Sequence, residues 1–506
     1  MSRDLADEPL NIVILGGSFS GLAAAHHFFS DIIDTLRITK AAPKYRVILI
    51  SPSTHLYWNI GAPRALVSPS WIPRTASFIP IEEGFRKYPS QRFRYIQATA
   101  TSVDFVGRTV SYQLIHPDAH GRSRSTTVAT ASSAGGGNRW STGSRATTSS
   151  RNSINQLIPF HALILATGTY TSSPLLSLHG PYENTLAALD DFHAKVAAAD
   201  SIIIAGGGPS GVETAGQLAT YFNRRSFLSR IHMIPSLFAA KKDNNPDDAT
   251  TPQRYKRAII AAPRKPKVIT LISGNARLLP KLPNKVGDTA EKQLKSLGVH
   301  VVHDTRVITS QEVSSTGHDD GTFSGLPTKT RCVLNDTTSI AADLYIAATG
   351  VHPNTSYLPP ELLDASGYVN TDAYYLRVNG SVGERVFAVG DCANYSKNYV
   401  LDVYEAVPVM LHNLRNDLWE YELKLQNPYG GKEEQIDALT DLQYAQNPTD
   451  TQLVPITRWG GVGVVYGVRV PSLMVWGMKG RDYRIGKAGW AVKRGGNPYG
   501  ADSIGR

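Results

Sequence analysis

The sequence predicts an α/β chain, two nested dinucleotide-binding units followed by a smaller β-rich C-terminal region, and three observations carry that prediction. A continuous apolar run ending in a glycine-rich turn occurs twice, as NIVILGGSFSGLAAAHHF at 11–28 and SIIIAGGGPSGVETAGQLA at 201–219. Each copy is followed, at a similar distance, by a strand-like segment ending in Ala-Thr-Gly, ALILATG at 162–168 and LYIAATG at 344–350. Late in the chain a further buried-looking segment, VFAV at 386–389, closes on Gly390-Asp391.

The runs at 12–15 and 202–205 are apolar without alternation, which suits strands buried on both faces of a parallel sheet. YRVILI at 45–50 and KVITLI at 267–272 supply the second strand of each βαβ unit. Two Rossmann-like units follow, one nested in the other: 9–117, 157–190 and 351–420 make the first, and 195–350 the second. Residues 421–506 form the C-terminal region, which from about 452 is rich in glycine turns and aromatics and reads as β. Two insertions interrupt this plan. The Ser/Thr/Gly-rich stretch 118–156 has too few large apolar side chains to offset the entropy of ordering, and reads as a disordered surface loop. Residues 222–266 lengthen the second crossover and read as an excursion of low order.

In a turn of this type the first glycine permits the tight bend, the second lets backbone approach a pyrophosphate, and the third lets helix pack on strand. The second copy has all three, Gly206, Gly208 and Gly211; the first has Gly16 and Gly21 but Ser18 in the middle. Serine is small, its hydroxyl can bond a phosphate oxygen, and the helix N-terminus behind it favours an anion. The acidic residue that holds an adenosine ribose is missing after both second strands, where Ser51 and Ser273 stand. In the second unit this absence, with Arg277 four residues on, leans toward NADPH; the alternative is a plain surface arginine. Ser210-Gly-Val-Glu213 is a capping box by spacing, so Glu213 either caps its helix or orients a nicotinamide. Asp391 can accept hydrogen bonds from the ribitol hydroxyls of a flavin, or be an ordinary turn aspartate.

The 506 residues contain no apolar window long enough for a transmembrane helix. The acidic start, MSRDLADEPL, reads neither as a secretory signal nor as a transit peptide, and Ser2 excludes myristoylation. The two cysteines, Cys332 and Cys392, stand far apart, which rules out a disulfide framework and a Cys-x-x-Cys relay and fits a reducing compartment. A cytoplasmic protein is expected, with association to a mitochondrion or another membrane surface left open. No metal-ligand cluster is seen, and His26-His27 reads as helix packing or surface. The net charge of +10 sits partly in basic runs at 254–257, 263–267 and near the C-terminus, which solvated loops, nucleic acid or anionic lipid would each explain.

Together, the segment 16–21, THLYWNIGAPRALV at 54–67, LILATG, the segment 206–213, VFAVGDCA and GVRVPSLMVWGMKGRDY at 467–483 resemble the two-dinucleotide-domain flavoproteins. Within them the likeness is to the apoptosis-inducing-factor-like group that includes ferroptosis suppressor protein, with type II NADH dehydrogenases as cousins. The resemblance implies FAD in the first unit and NAD(P)H in the second. It also implies hydride transfer to the flavin and electron delivery to a quinone or other small-molecule acceptor. Carried over by motif, Gly16, Ser18, Gly21, Thr167, Gly168 and Asp391 touch FAD with Arg64 nearby, while Gly206, Gly208, Gly211 and Glu213 serve the nicotinamide cofactor. Gly17, Ser20, Ser51, Ser210, Ser273, Gly350 and Gly390 complete the cofactor-binding set. The family's flavin-side lysine falls at Lys397 if a one-residue shift is allowed, and membrane docking would fall to the basic, aromatic C-terminal region. A reading of a different class is a redox-gated flavoprotein that binds a partner or nucleic acid with little turnover. A flavin monooxygenase is disfavoured because the Baeyer–Villiger signature is missing.

Overall fold

The computed structural model describes residues 8–36, 44–115, 155–223, 266–313, 329–427 and 430–500. The loop expected at 118–156 and the excursion expected at 222–266 lie almost wholly outside the described residues. Gln156, assigned to the first insertion, opens a strand, Gln156–Pro159, that pairs with Thr109–Leu114.

The first apolar run becomes the strand Leu10–Leu15, flanked in parallel by Tyr45–Ser51 and Ala162–Leu165. Phe93–Asp104 and Val386–Ala388 extend the parallel set on either side. Beyond Phe93–Asp104 the sheet continues antiparallel through Thr109–Leu114 and Gln156–Pro159, giving seven strands. Alternate residues serve opposite faces: Ile12, Ile14, Val47 and Leu49 enter one core, and Val13, Leu15, Ile48 and Ile50 another. Burial on both faces explains why this run has no polar alternation, each large aliphatic side chain contributing about 1.5–3 kcal/mol.

In the second unit, Ser201–Ala205 is flanked in parallel by Val268–Ile272 and Leu344–Ala347, with Val299–Val302 outermost. In both sheets the strand leading to Ala-Thr-Gly lies on one side of the glycine-turn strand and the second strand on the other. The repeat in sequence is thus a repeat of topology. An antiparallel sheet of Val307–Val313, Lys329–Leu334 and Ser339–Ala342 connects the outermost strand to the Ala-Thr-Gly strand.

The helix Val400–Gln426 packs on Phe19–His27 and runs past the boundary expected at 420. The C-terminal region is β only in part: Gln452–Thr457, Gly460–Val465 and Val468–Arg469 form a small sheet, and short helices follow from Ser472. This region holds both units. Its first strand lies so close to the helix Pro209–Phe222 that a Cβ at Gly216 would collide with the Ile456 backbone. Its last helix, Ala488–Arg494, sits against Phe19–His27, with His26 Nε2 2.6 Å from Val492 O. Burial lowers the His26 pKa to about 4, so this histidine is a neutral packing group stacked on Phe85. Among the described residues no helix is long and apolar enough to cross a membrane.

Candidate functional site

The two glycine turns are built alike. Gly16 has φ +114° and Gly206 φ +126°, and a Cβ on either would strike the carbonyl of Ala166 or Ala348 on the neighbouring Ala-Thr-Gly strand. Gly21 and Gly211 lie against the carbonyls of Gly16 and Gly206, where no side chain fits. Gly17 and Gly207 ride over the side chains of Ser51 and Ser273. Each serine hydroxyl closes a local turn, Ser51 with Ser53 and Ser273 with Asn275.

The middle position differs in kind. Gly208 is extended, at φ −80° and ψ −177°, with no atom within 4 Å of a Cβ built on it. Ser18 takes the same extended conformation, φ −114° and ψ −160°. A small side chain is tolerated there, so the first turn keeps the same backbone shape without its middle glycine. Neither following helix has a side-chain cap, so the N–H groups of each first turn remain available to an anionic ligand.

A cavity of about 460 Å³ opens at the first turn. Its wall includes Gly16, Gly17, Ser18, Ser20, Ser51, Thr167, Gly168 and Asp391 from the first unit, and Ser210 and Glu213 from the second. The start of the second unit's helix therefore faces the same crevice as the first turn. Gly21 lies behind that wall, and Gly390, at φ +80°, packs on Ser20 with no room for a side chain. Gly206, Gly208, Gly211, Ser273 and Gly350 shape the second turn and its flanks outside this cavity. Thr167 is tied to a wall residue missed from the sequence: its hydroxyl donates to Asn354 O at 2.7 Å, and Asn354 Nδ2 donates back to Thr167 O at 3.0 Å. Burial raises the Asp391 carboxyl to about 6, the neighbouring Asp402 adding to the effect, and Asp391 makes no ion pair among the described residues. A carboxylate so placed fits hydroxyl donors entering the cavity.

Glu213 is a buried carboxylate, only 2% exposed. Burial pushes its pKa up, while Lys479, Tyr483 and Arg64 pull it down. Its Oε1 accepts from Lys479 Nζ at 2.7 Å, and its Oε2 has no hydrogen-bond partner among the described residues. The capping-box reading is corrected: Gly208 is the N-cap, Ser210 lies exposed in the first turn, and Glu213 turns to Lys479. Lys479 reaches the cavity from the π-helical turn Trp476–Gly480 and also donates to Leu453 O at 3.1 Å. It escaped the sequence reading because it stood in a basic run read as surface, while its partner lies 266 residues away.

Three further cations expected at the cofactor sites make other contacts. Arg64 does not reach the wall; it is buried behind it, donating to Gln217 Oε1 at 3.0 Å and Arg481 O at 3.1 Å, with its guanidinium 4.5 Å from the Tyr483 ring centre. Lys397 turns away from the cavity, donating to Asn447 O at 2.8 Å and Pro448 O at 3.2 Å. Arg277 donates to Leu282 O at 2.8 Å and to Pro280 O, so its guanidinium closes its own loop. Lys397→Met is accordingly expected to increase protease cleavage around 447–450 while changing the rate of flavin reduction less than about twofold. Peptide mapping and rapid mixing check the two parts.

The pattern of the pyridine nucleotide-disulphide oxidoreductases matches residues 10–409. The chain belongs to that family. It is 32% identical over 485 residues to the oxidoreductase phnG of Penicillium herquei, covering 96% of each chain. It is 30% identical to the oxidoreductase ptaL of Pestalotiopsis fici, covering 76% of this chain and 77% of that one. Among solved structures, NDH2 of Plasmodium falciparum superposes with a TM-score of 0.53 at 13% identity, over 92% of this chain and 93% of that one. The water-forming NADH oxidase of Lactobacillus brevis gives 0.50 at 15% identity, over 88% and 73%. Membership makes the chain an NAD(P)H-dependent oxidoreductase whose cofactors are a flavin and NAD(P)H. The glycine cradle and the cavity-facing Asp391 fit them. The disulphide of the family's name has no counterpart here: Cys332 and Cys392 are both buried and unpaired with each other.

Proposed function

We propose that this chain is an FAD-dependent NAD(P)H oxidoreductase of the apoptosis-inducing-factor-like plan, delivering electrons to a quinone-like small molecule. One observation carries the reading: the first glycine turn and the helix start of the second unit face a single cavity. When bound, the cofactors supply the redox chemistry, hydride passing from nicotinamide to flavin and electrons onward to the acceptor. The residues around them position and screen. Gly17 and Ser18 offer backbone N–H groups to the FAD diphosphate over the bend at Gly16, whose own N–H donates to Ile50 O, and Asp391 accepts from the ribitol hydroxyls. Ser210 and Glu213 meet the nicotinamide end of NAD(P)H, where the unpartnered Oε2 of Glu213 accepts from the carboxamide N–H while Lys479 balances its charge. That the relatives phnG and ptaL are both oxidoreductases supports the reading.

Anaerobic titration of the flavin-loaded protein tests it. NADH or NADPH is expected to bleach the flavin, and one or more of a panel of benzoquinones and naphthoquinones to restore its colour. Flavin that stays oxidised in excess of both nicotinamides would count against the reading. Salt-sensitive nucleic-acid binding by such a protein would then favour the redox-gated binder.

A further inference from the structure

The adenosine end of the second unit is shaped by two loops bound to each other. Ser273 N donates to Val302 O at 2.7 Å, Thr305 N to Ser273 O at 3.0 Å and Asp304 N to Asn275 O at 3.3 Å. The end of the outermost parallel strand is thereby drawn onto the position where a nucleotide-binding unit meets the ribose 2′-substituent. No carboxylate stands at Ser273, and the next residue is Gly274. Arg306 occupies the space a side chain there would take: a Cβ at Gly274 would lie 2.8 Å from Arg306 Cγ and 2.9 Å from its Nε. The backbone N of Arg306 is held by Asn335 Oδ1 at 2.9 Å. Its side chain is exposed and makes no hydrogen bond or ion pair among the described residues. Arg277, nearer in sequence, is engaged by carbonyls of its own loop.

We propose that Arg306, lying across the Gly274 backbone, binds the 2′-phosphate of the nicotinamide cofactor and makes the second site selective for NADPH over NADH. A guanidinium matches a phosphate with paired donors, and the missing carboxylate removes the repulsion that would exclude it. The inference rests on the second unit being the nicotinamide site. Asp304, the sole acidic residue in 273–277 and 303–306, is the competing group, since a carboxylate would favour the free ribose hydroxyls of NADH.

Equilibrium binding of the adenosine halves, 2′,5′-ADP and 5′-AMP, to the flavin-loaded full-length protein tests this without turnover. The wild-type protein is expected to bind 2′,5′-ADP at least about tenfold more tightly than 5′-AMP. Arg306→Ala should erase that preference and leave 5′-AMP affinity unchanged, and Arg306→Lys should keep part of it. Gly274→Ala, which displaces the arginine stem without removing its charge, should also lower it. Equal affinity for the two halves in the wild type, or an Arg306→Ala variant that weakens both equally, would overturn the proposal. A flavin that neither NADPH nor NADH reduces in a protein that still prefers 2′,5′-ADP would defeat the proposed function and leave this inference standing. Efficient reduction with no such preference would do the reverse.

Discussion

Gly16→Ala is expected to leave the purified protein without flavin and less stable by about 3 kcal/mol or more, while Gly208→Ser changes stability by less than about 0.5 kcal/mol. The difference follows from where each Cβ would go. At Gly16 the backbone sits at φ +114° and the new methyl meets the Ala166 carbonyl, which belongs to the central sheet and cannot yield without breaking its ladder. At Gly208 the backbone is extended and nothing lies within 4 Å. Denaturant unfolding of both variants, with visible absorbance to count bound flavin, checks the pair. A Gly16→Ala protein that retains stoichiometric flavin would show that the cradle is not where the cofactor sits.

Lys479→Met should be the most damaging change outside the glycine turns. It strands a buried carboxylate, and breaking a pair of this kind costs about 3–5 kcal/mol. Glu213 then binds its proton more tightly in the folded protein than in the unfolded chain. The deficit should therefore be smallest in acid, where both states are protonated, grow as pH rises above the ordinary carboxylate range, and level off above the folded-state pKa. Adding Glu213→Gln removes the stranded charge and should recover most of the stability. It should not recover the rate of flavin reduction by NAD(P)H, which on the proposed role of Glu213 toward the nicotinamide is expected to stay at least about tenfold below wild type. Unfolding curves across pH and anaerobic rapid mixing separate the two effects. Full recovery of both by the double variant would leave the ion pair a purely structural role.

Local patterns reported the features that are themselves local. Unalternating apolar runs, glycines at turn spacing and the twin Ala-Thr-Gly segments appear in the structure as two sheets that share the same order of parallel strands around the glycine turn. Ser18 was legible as a tolerated replacement because one residue's conformation decides it. The capping alternative for Glu213 fails for the opposite reason. Its spacing is right for a cap, but a lysine far along the chain competes for the carboxylate, and no window along the sequence contains both.

The sequence alone determined the duplicated α/β plan and the two glycine turns, because these depend on backbone conformation and hydrophobic period within short stretches; the cofactors came only through the family resemblance those motifs carry. The tertiary structure alone decided which cations matter. Lys479 reaches the cavity while Arg64 and Lys397 do not, and among the described residues Arg306, unlike Arg277, makes no side-chain hydrogen bond or ion pair beside Gly274. A long flexible cation goes wherever an acceptor lies within its reach, and the packing of the C-terminal region and the outermost strand sets where those acceptors are.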